Sequence, residues 1–150
     1  MKRINFIVSL LKGYEIVLDI GTDHGLILKK ALDLKYIKKG IAVDIKSKPL
    51  SRARLNLQNY PVDFYLSNGF ENLHKVSFDI VLICGMGPYT IIDILKKAPN
   101  TKKPFLLGCQ GKINYLIKWI EQNNFIILNS YNVLDKFSYN FLEILQNYDK

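Results

Sequence analysis

The apolar positions of this chain alternate between two patterns along its length. Short continuous apolar runs are typical of buried strands, and apolar residues spaced three and four apart are typical of helices that bury one face. Strands are predicted at 15–20, 40–45, 62–66, 78–84 and 104–107. Helices are predicted at 3–12, 25–35, 47–59, from Pro88 onward, and at 112–123.

The end of the chain breaks this alternation, because two strand-like segments, 125–134 and 137–147, follow each other without a helix. Strands that alternate with helices predict a parallel sheet covered by helices on both faces. Two strands joined by a short link pair only in the antiparallel sense. We therefore expect one α/β domain over residues 1–150, with a Rossmann-like, seven-stranded, mostly parallel sheet and one antiparallel strand. This arrangement is typical of class I methyltransferases that use S-adenosyl-L-methionine (SAM).

The N-terminus and the two cysteines indicate where the chain works. Lys2 and Arg3 precede an apolar stretch that loosely resembles a secretory signal, but no small-residue cleavage site follows. The spacing of the apolar residues there favours an amphipathic helix. No apolar run reaches the roughly 20 residues that cross a bilayer. Cys84 and Cys109 lie in strand-like runs, which predicts buried free thiols. We expect a cytoplasmic protein without a membrane partner.

The positive charge is concentrated in the first part of the chain. The net charge is +8, and residues 1–60 hold twelve Lys and Arg against five acids, whereas residues 61–150 hold nine against eight. A basic region indicates an anionic partner such as nucleic acid. The chain is also rich in Ile and Asn and has only four Ala, as expected from an AT-rich coding sequence, which raises lysine without a functional cause. Both explanations fit the sequence.

The segment from Asp19 to Gly25 carries the first candidate site. A buried strand breaks at Gly21 and a helical pattern begins after Gly25, as at the start of a nucleotide-binding α/β unit. The segment lacks the full G-x-G-x-x-G of dinucleotide sites, and Asp19 and Asp23 would repel a pyrophosphate. SAM instead carries a sulfonium and an ammonium, which suit the two acids. The candidate cofactor-binding residues here are Asp19, Gly21, His24 and Gly25.

Two further clusters follow the second and third predicted strands. Asp44 lies 23 residues after Gly21, close to the spacing at which an acid accepts hydrogen bonds from ribose hydroxyls in SAM or NAD. Ile45 beside it can lie against an adenine face. Asn68 can accept a hydrogen bond from the adenine amino group, although Asn68-Gly69 is equally typical of a turn. The candidate cofactor-binding residues here are Asp44, Ile45, Asn68 and Gly69.

A glycine-rich turn after the fourth predicted strand is the candidate catalytic site. Gly85, Met86 and Gly87 leave room for a methyl acceptor beside the sulfonium. Tyr89 either offers a ring for base stacking or packs in the core. His24 is either a general base or a turn residue bonded to the backbone. No Cys or His spacing suggests a metal site, so none is predicted.

Taken together, these motifs resemble the bacterial tRNA (adenine(22)-N(1))-methyltransferase family over about residues 15–130. The matching stretches are Asp19–Gly25, Ala42–Asp44 with Pro49, Leu50 and Ala53, Asn68-Gly69, and Cys84–Gly87 with Ile91, Ile92 and Leu95. The resemblance implies that the first three clusters bind SAM and that the fourth places an adenine of a tRNA substrate. Adenine N1 has a lone pair and needs no strong base, and Asp23 is the candidate carboxylate that stabilises the cationic product.

The sequence departs from this family at three points. Pro88 stands where the family usually has a glycine, and Cys109-Gln110-Gly111-Lys112 replaces a Gln-Pro-Asn turn. Members usually carry a helical hairpin after the catalytic domain, and we expect this chain to lack it. Two alternatives therefore stand beside the tRNA reaction: a small-molecule methyltransferase, and a SAM- or RNA-binding module without catalysis.

Overall fold

The computed structural model describes residues 2–147 as five helices and seven strands. In chain order these are α1 (Lys2–Leu10), β1 (Ile16–Ile20), α2 (Leu26–Asp33), β2 (Lys39–Asp44), α3 (Ser47–Asn56), β3 (Val62–Leu66), β4 (Ile80–Met86), α4 (Pro88–Lys96), β5 (Phe105–Cys109), α5 (Ile113–Gln122), β6 (Phe125–Asp135) and β7 (Phe137–Gln146). None of the helices in this part of the chain combines the length and apolarity that a membrane span requires.

The seven strands form one sheet in the order β3-β2-β1-β4-β5-β7-β6. Strands β1 to β5 pair in parallel, whereas β7 is antiparallel to both of its neighbours, β5 and β6. Six strands therefore run in one direction and β7 runs in the other. This topology confirms the predicted Rossmann-like sheet, including its single reversed strand.

Successive residues of the central strands face two separate apolar layers. Leu18 lies in the layer that α4 and α5 complete, with side chains such as Ile91. Its neighbour Val17 lies in the layer that α1, α2 and Leu57, at the end of α3, complete, and Ile7 and Leu28 are buried there. Because the helices cover both faces, every central strand is buried on both sides, which explains why these strands are continuous apolar runs in the sequence.

The order of the strands reverses beside β1, and this reversal positions the site. The chain passes from β1 to β2 and β3 on one side, and then crosses to β4 and β5 on the other. Ligands of open parallel sheets bind beyond the carboxyl ends of the strands at such a switch point. The four predicted clusters follow β1, β2, β3 and β4, and they therefore share this edge of the sheet.

Strand β4 extends further than predicted. Gly85 and Met86, which were expected in a turn, are its last two residues. The pairing with β5 shifts register between Cys84 and Met86, and Gly85 has a φ of 80°. This bulge lets Met86 pair with Cys109 at the end of β5. The prediction of a turn at Gly85 is therefore wrong, because this glycine makes a bulge within the strand.

Candidate active site

Two adjoining cavities open at the carboxyl edge of the sheet. The β2-side cavity has a volume of about 360 Å³, and its lining includes Asp44, Ile45, Asn68, Gly69 and Met86. The α1-side cavity has a volume of about 240 Å³, and its lining includes Arg3, Asp19, Thr22, His24, Gln110, Tyr139 and Asn140. Gly21, Asp23, Cys84 and Gly85 line both cavities. The two cavities therefore form one cleft along the switch point.

Asp19 is a buried acid at the floor of the cleft. It is the fourth residue of β1, and only 2% of its surface is exposed. Its pKa is raised from 3.8 to about 7: burial is the main cause, the hydrogen bond donated by the Thr22 hydroxyl opposes the rise, and the nearby acids Asp44 and Asp23 add to it. That hydrogen bond to Oδ2 is 2.9 Å long. A carboxyl group in this state favours a cation beside it, because the cation stabilises its charged form.

The loop between β1 and α2 places Asp23 and His24 at the opening of the cleft. Both side chains are exposed, and His24 Nε2 lies 3.7 Å from Asp23 Oδ1. The backbone is fixed from the other side, because Asn56 on α3 donates a hydrogen bond to the His24 carbonyl. Asp23 thus presents a solvated carboxylate where the two cavities meet, and His24 lines the α1-side cavity.

The two glycines of this loop have different roles. Gly21 lines both cavities, its φ is 80°, and a Cβ there would meet the terminal methyl of Met86. Gly25 lines neither cavity, because its missing side chain faces α3, where a Cβ would lie 2.7 Å from Leu57 and 3.3 Å from Ala53. Gly25 therefore allows α2 and α3 to pack closely, whereas Gly21 shapes the cleft itself.

Asp44 ends β2 with a carboxylate that the backbone already holds. Its Oδ2 accepts a hydrogen bond from the Asp23 amide, and its Oδ1 accepts one from the Lys46 amide, each 3.0 Å long. Each oxygen keeps a free lone pair, and the side chain lines the β2-side cavity. Ile45 is exposed beside it. This geometry suits two neighbouring hydroxyls, with an apolar surface next to them for a flat ring.

The turn after β3 closes the far end of the β2-side cavity. Buried Ser67 stabilises the turn: its hydroxyl donates to the Gly69 carbonyl at 2.8 Å and accepts from the Asn72 amide at 3.0 Å. Asn68 is exposed and lines the cavity together with Gly69. The turn-forming and ligand-binding explanations of Asn68-Gly69 are thus compatible, because Ser67 supports the turn and leaves the Asn68 side chain available.

The end of β4 provides open space beside the cleft. A Cβ at Gly85 or at Gly87 would meet no atom within 4 Å. Gly85 lines both cavities and Met86 lines the β2-side cavity, whereas Gly87 lies outside the lining of both. Tyr89 is half-exposed rather than packed in the core. The cleft is therefore open to solvent where β4 ends, with free space at both glycines.

Four lining residues had no signal as site residues in the sequence. Thr22 lies within the segment from Asp19 to Gly25, but only the structure shows its hydrogen bond to Asp19. Arg3 comes from α1, and its guanidinium lies 4.7 Å from the centre of the Tyr139 ring on β7. Asn140 follows that tyrosine. These side chains come from opposite ends of the chain, and only the position of β7 beside β5 brings them together.

Neither cysteine is suited to nucleophilic chemistry. Both are free thiols, as predicted; the predicted burial is found for Cys109, whereas Cys84 is half-buried. Burial raises the pKa of Cys109 to about 11, and burial together with the charge of Asp19 raises the pKa of Cys84 well above its usual range. Thiols in this state are neutral and unreactive. Within residues 2–147, no three acidic, His or Cys side chains are grouped as metal ligands.

Comparisons with known proteins agree with this geometry. A Mycoplasma genitalium protein provisionally named a tRNA methyltransferase is 29% identical over 143 residues, which cover 90% of this chain and 62% of the relative. The structure of M. capricolum TrmK in complex with S-adenosyl-homocysteine has a TM-score of 0.88 and 28% identity, and covers 98% of this chain and 69% of that chain.

A third comparison concerns the fold alone. The B. subtilis m1A22 tRNA methyltransferase TrmK has a TM-score of 0.87 at 21% identity, and the match covers 97% of this chain and 66% of that chain. This chain spans less than two thirds of the length of its M. genitalium relative. Residues 1–142 match a family model described as a methyltransferase domain. The chain therefore belongs to the methyltransferase-domain family.

Proposed function

We propose that this chain transfers a methyl group from SAM to N1 of an adenine in tRNA, at position 22, in the cytoplasm. The named tRNA methyltransferases among its relatives support the substrate, and the S-adenosyl-homocysteine in the M. capricolum structure supports the cofactor. The resemblance of the sequence motifs supports the position and the atom. The observation that carries the proposal is the pair of buried acids, Asp19 and Asp44, on either side of Gly21 in the cleft.

The residues of the cleft fit SAM in both of its parts. When bound, SAM supplies a methyl group that is activated by a positively charged sulfur. Asp44 accepts hydrogen bonds from the ribose hydroxyls with a carboxylate that two backbone amides already orient. Ile45 and Asn68 line the same cavity, where Ile45 would lie against the adenine ring and Asn68 would accept a hydrogen bond from its amino group. Asp19 attracts the positively charged end of the ligand. The cation in turn lowers the pKa of the buried carboxyl group and favours its charged form.

The reaction needs orientation rather than strong acid–base chemistry from the protein. Adenine N1 carries a lone pair, so no side chain has to remove a proton before methyl transfer. The open space around Gly85 and Gly87 admits the base, and the cleft aligns it with the cofactor. The methylated base is cationic, and the Asp23 carboxylate stabilises that charge. Because N1 lies on the pairing edge, the adenine reacts only when it is unpaired or flipped out.

Methylation of a tRNA transcript tests this proposal directly. An unmodified transcript is incubated with the protein and SAM, digested to nucleosides, and examined by mass spectrometry for 1-methyladenosine. At limiting SAM we expect the product with the native protein, a much lower yield with Asp44→Ala, and an unchanged yield with Asp63→Asn, a control that removes an exposed acid on β3. Methylation of a small molecule alone, or SAM binding without any turnover, would replace the tRNA reaction by one of the two alternatives.

A further inference from the structure

Two tyrosines form an exposed aromatic pair at the edge of the sheet that carries the cleft. The rings of Tyr89 and Tyr115 are 4.8 Å apart between centroids, with planes inclined by 49°. Tyr89 is 54% exposed and Tyr115 is 49% exposed, so each ring has one side against its partner and another in solvent. Aromatic side chains lose favourable burial when they remain in water. A pair of half-exposed rings is therefore a candidate surface for a flat partner.

The pair adjoins the acceptor side of the cleft in the chain. Tyr89 is the second residue of α4, and it precedes Thr90, which lines the β2-side cavity. Tyr115 is the third residue of α5, five positions after Gln110, which lines the α1-side cavity. Both helices begin at the carboxyl ends of parallel strands. The tyrosine pair thus lies on the same edge of the sheet as the space around Gly85.

A cation lies against the ring pair, and the acid of α4, Asp93, follows one turn after Tyr89. The Lys112 ammonium lies 5.8 Å from the centre of the Tyr89 ring, and Lys112 pairs with no carboxylate among residues 2–147. The first turns of α4 and α5 hold no acid. Across the cleft, α3 carries exposed Lys48 and Arg52 and contains no acid along its length. Aromatic rings interleaved with cations are the features that bind unpaired nucleotides.

We propose that the Tyr89–Tyr115 pair, together with Lys112, stacks an unpaired base of the RNA next to the adenine that enters the cleft. This inference rests on the proposed function, and it adds a surface that positions the substrate. The ring pair contacts a base adjacent to the reacting one, and Lys112 contacts its phosphate. A flipped adenine leaves its neighbour unstacked, and the tyrosines replace the stacking partner that the neighbour has lost.

The test separates aromatic stacking from simple packing. Tyr89→Leu and Tyr115→Leu keep an apolar side chain, Tyr89→Phe keeps the ring, and Phe137→Leu is the control, since Phe137 is an exposed aromatic residue in another part of the fold. Affinity for an unmodified tRNA transcript is measured by fluorescence anisotropy with S-adenosyl-homocysteine present. We expect each Tyr→Leu variant to bind the transcript about five- to a hundredfold more weakly, and Tyr89→Phe and Phe137→Leu to bind it like the native protein.

Two further measurements make the result decisive. Affinity for S-adenosyl-homocysteine and the melting temperature should stay unchanged in all variants. In methylation assays, the Tyr→Leu variants should show a higher KM for the transcript and little change in kcat. Equal transcript affinity of the Tyr→Leu and native proteins would overturn the inference. So would a change in sedimentation without a change in RNA affinity, which would make the pair a protein-binding surface.

The same assays distinguish this inference from the proposed function. If the transcript binds through the tyrosines but gains no methyl group, the proposed reaction fails and the stacking surface stands. If the transcript is methylated with the same KM by the Tyr→Leu variants, the reaction stands and the stacking surface fails. A transcript that neither binds nor reacts would overturn both.

Discussion

Replacing Asp19 by asparagine should change how the stability of the ligand-free protein depends on pH. The carboxyl group has an ordinary pKa of 3.8 and a pKa of about 7 in the fold, where burial is the main cause of the rise. Between these two values the folded protein binds a proton that the unfolded chain has released, so stability falls as pH rises. A pKa displaced this far corresponds to a total of about 4 kcal/mol, of which about 3 kcal/mol is lost between pH 5 and pH 8.

The assay is urea unfolding of the native protein and of Asp19→Asn at several pH values between 5 and 8. The asparagine stays neutral, and its carbonyl can still accept the Thr22 hydrogen bond. The difference in unfolding free energy between variant and native protein should grow in favour of the variant by about 3 kcal/mol across this range. Asp63→Asn, at an exposed position, should show no such trend. If the free energy of unfolding depends on pH in the same way in Asp19→Asn and in the native protein, the reasoning that the charged Asp19 side chain destabilises the fold is refuted.

The remaining predictions concern the ligand and the packing beside it. Affinity for S-adenosyl-homocysteine should rise from pH 6 to pH 8 in the native protein, because Asp19 becomes charged and attracts the ammonium, and calorimetry should show a flat profile for Asp19→Asn. Asp44→Ala should weaken the same binding about 30-fold or more, since hydrogen bonds to a charged group contribute about 1.5–3 kcal/mol; an unchanged titration would contradict the ribose assignment. Gly25→Ala should destabilise the fold by about 1–3 kcal/mol, because strain at its φ of 76° adds to a 2.7 Å contact with Leu57. Gly111→Ala is the matched control, because Gly111 has a similar φ of 66° but open space around it. In urea unfolding this variant should lose only about 1 kcal/mol of stability.

The fold was predictable from the sequence because the signals were local and repeated. Short apolar runs alternate with helical stripes, and the missing helix between the last two segments predicts the reversed strand. β3 has the predicted bounds, whereas β4 ends at Met86 instead of Cys84. That difference comes from a bulge at Gly85, and a glycine after an apolar run looks the same in sequence whether it ends a strand or bends it.

The sequence predicted only those residues of the candidate site that lie at the ends of strands. Asp44 and Asn68 follow their strands directly, so the edge of a parallel sheet brings them together. Arg3 and Tyr139 had no such signal, since they meet through α1 and the antiparallel strand β7, far apart in the chain. Gly25 is the opposite case, because its place in the Asp19–Gly25 segment predicts a ligand-binding glycine, whereas in the fold it packs against Ala53 of α3 and Leu57.

The hydrogen bond from the Asp23 amide to Asp44 has a consequence for how the ligand-free protein should behave. The Asp44 carboxylate lines the β2-side cavity and also holds the loop that borders it. The cavity wall should therefore rearrange little when a ligand binds. The amide of Asp23 should therefore exchange slowly with deuterium although its side chain points into water. The exchange rate of this amide proton therefore reports whether the hydrogen bond between the loop and Asp44 is formed, without substrate, product or turnover.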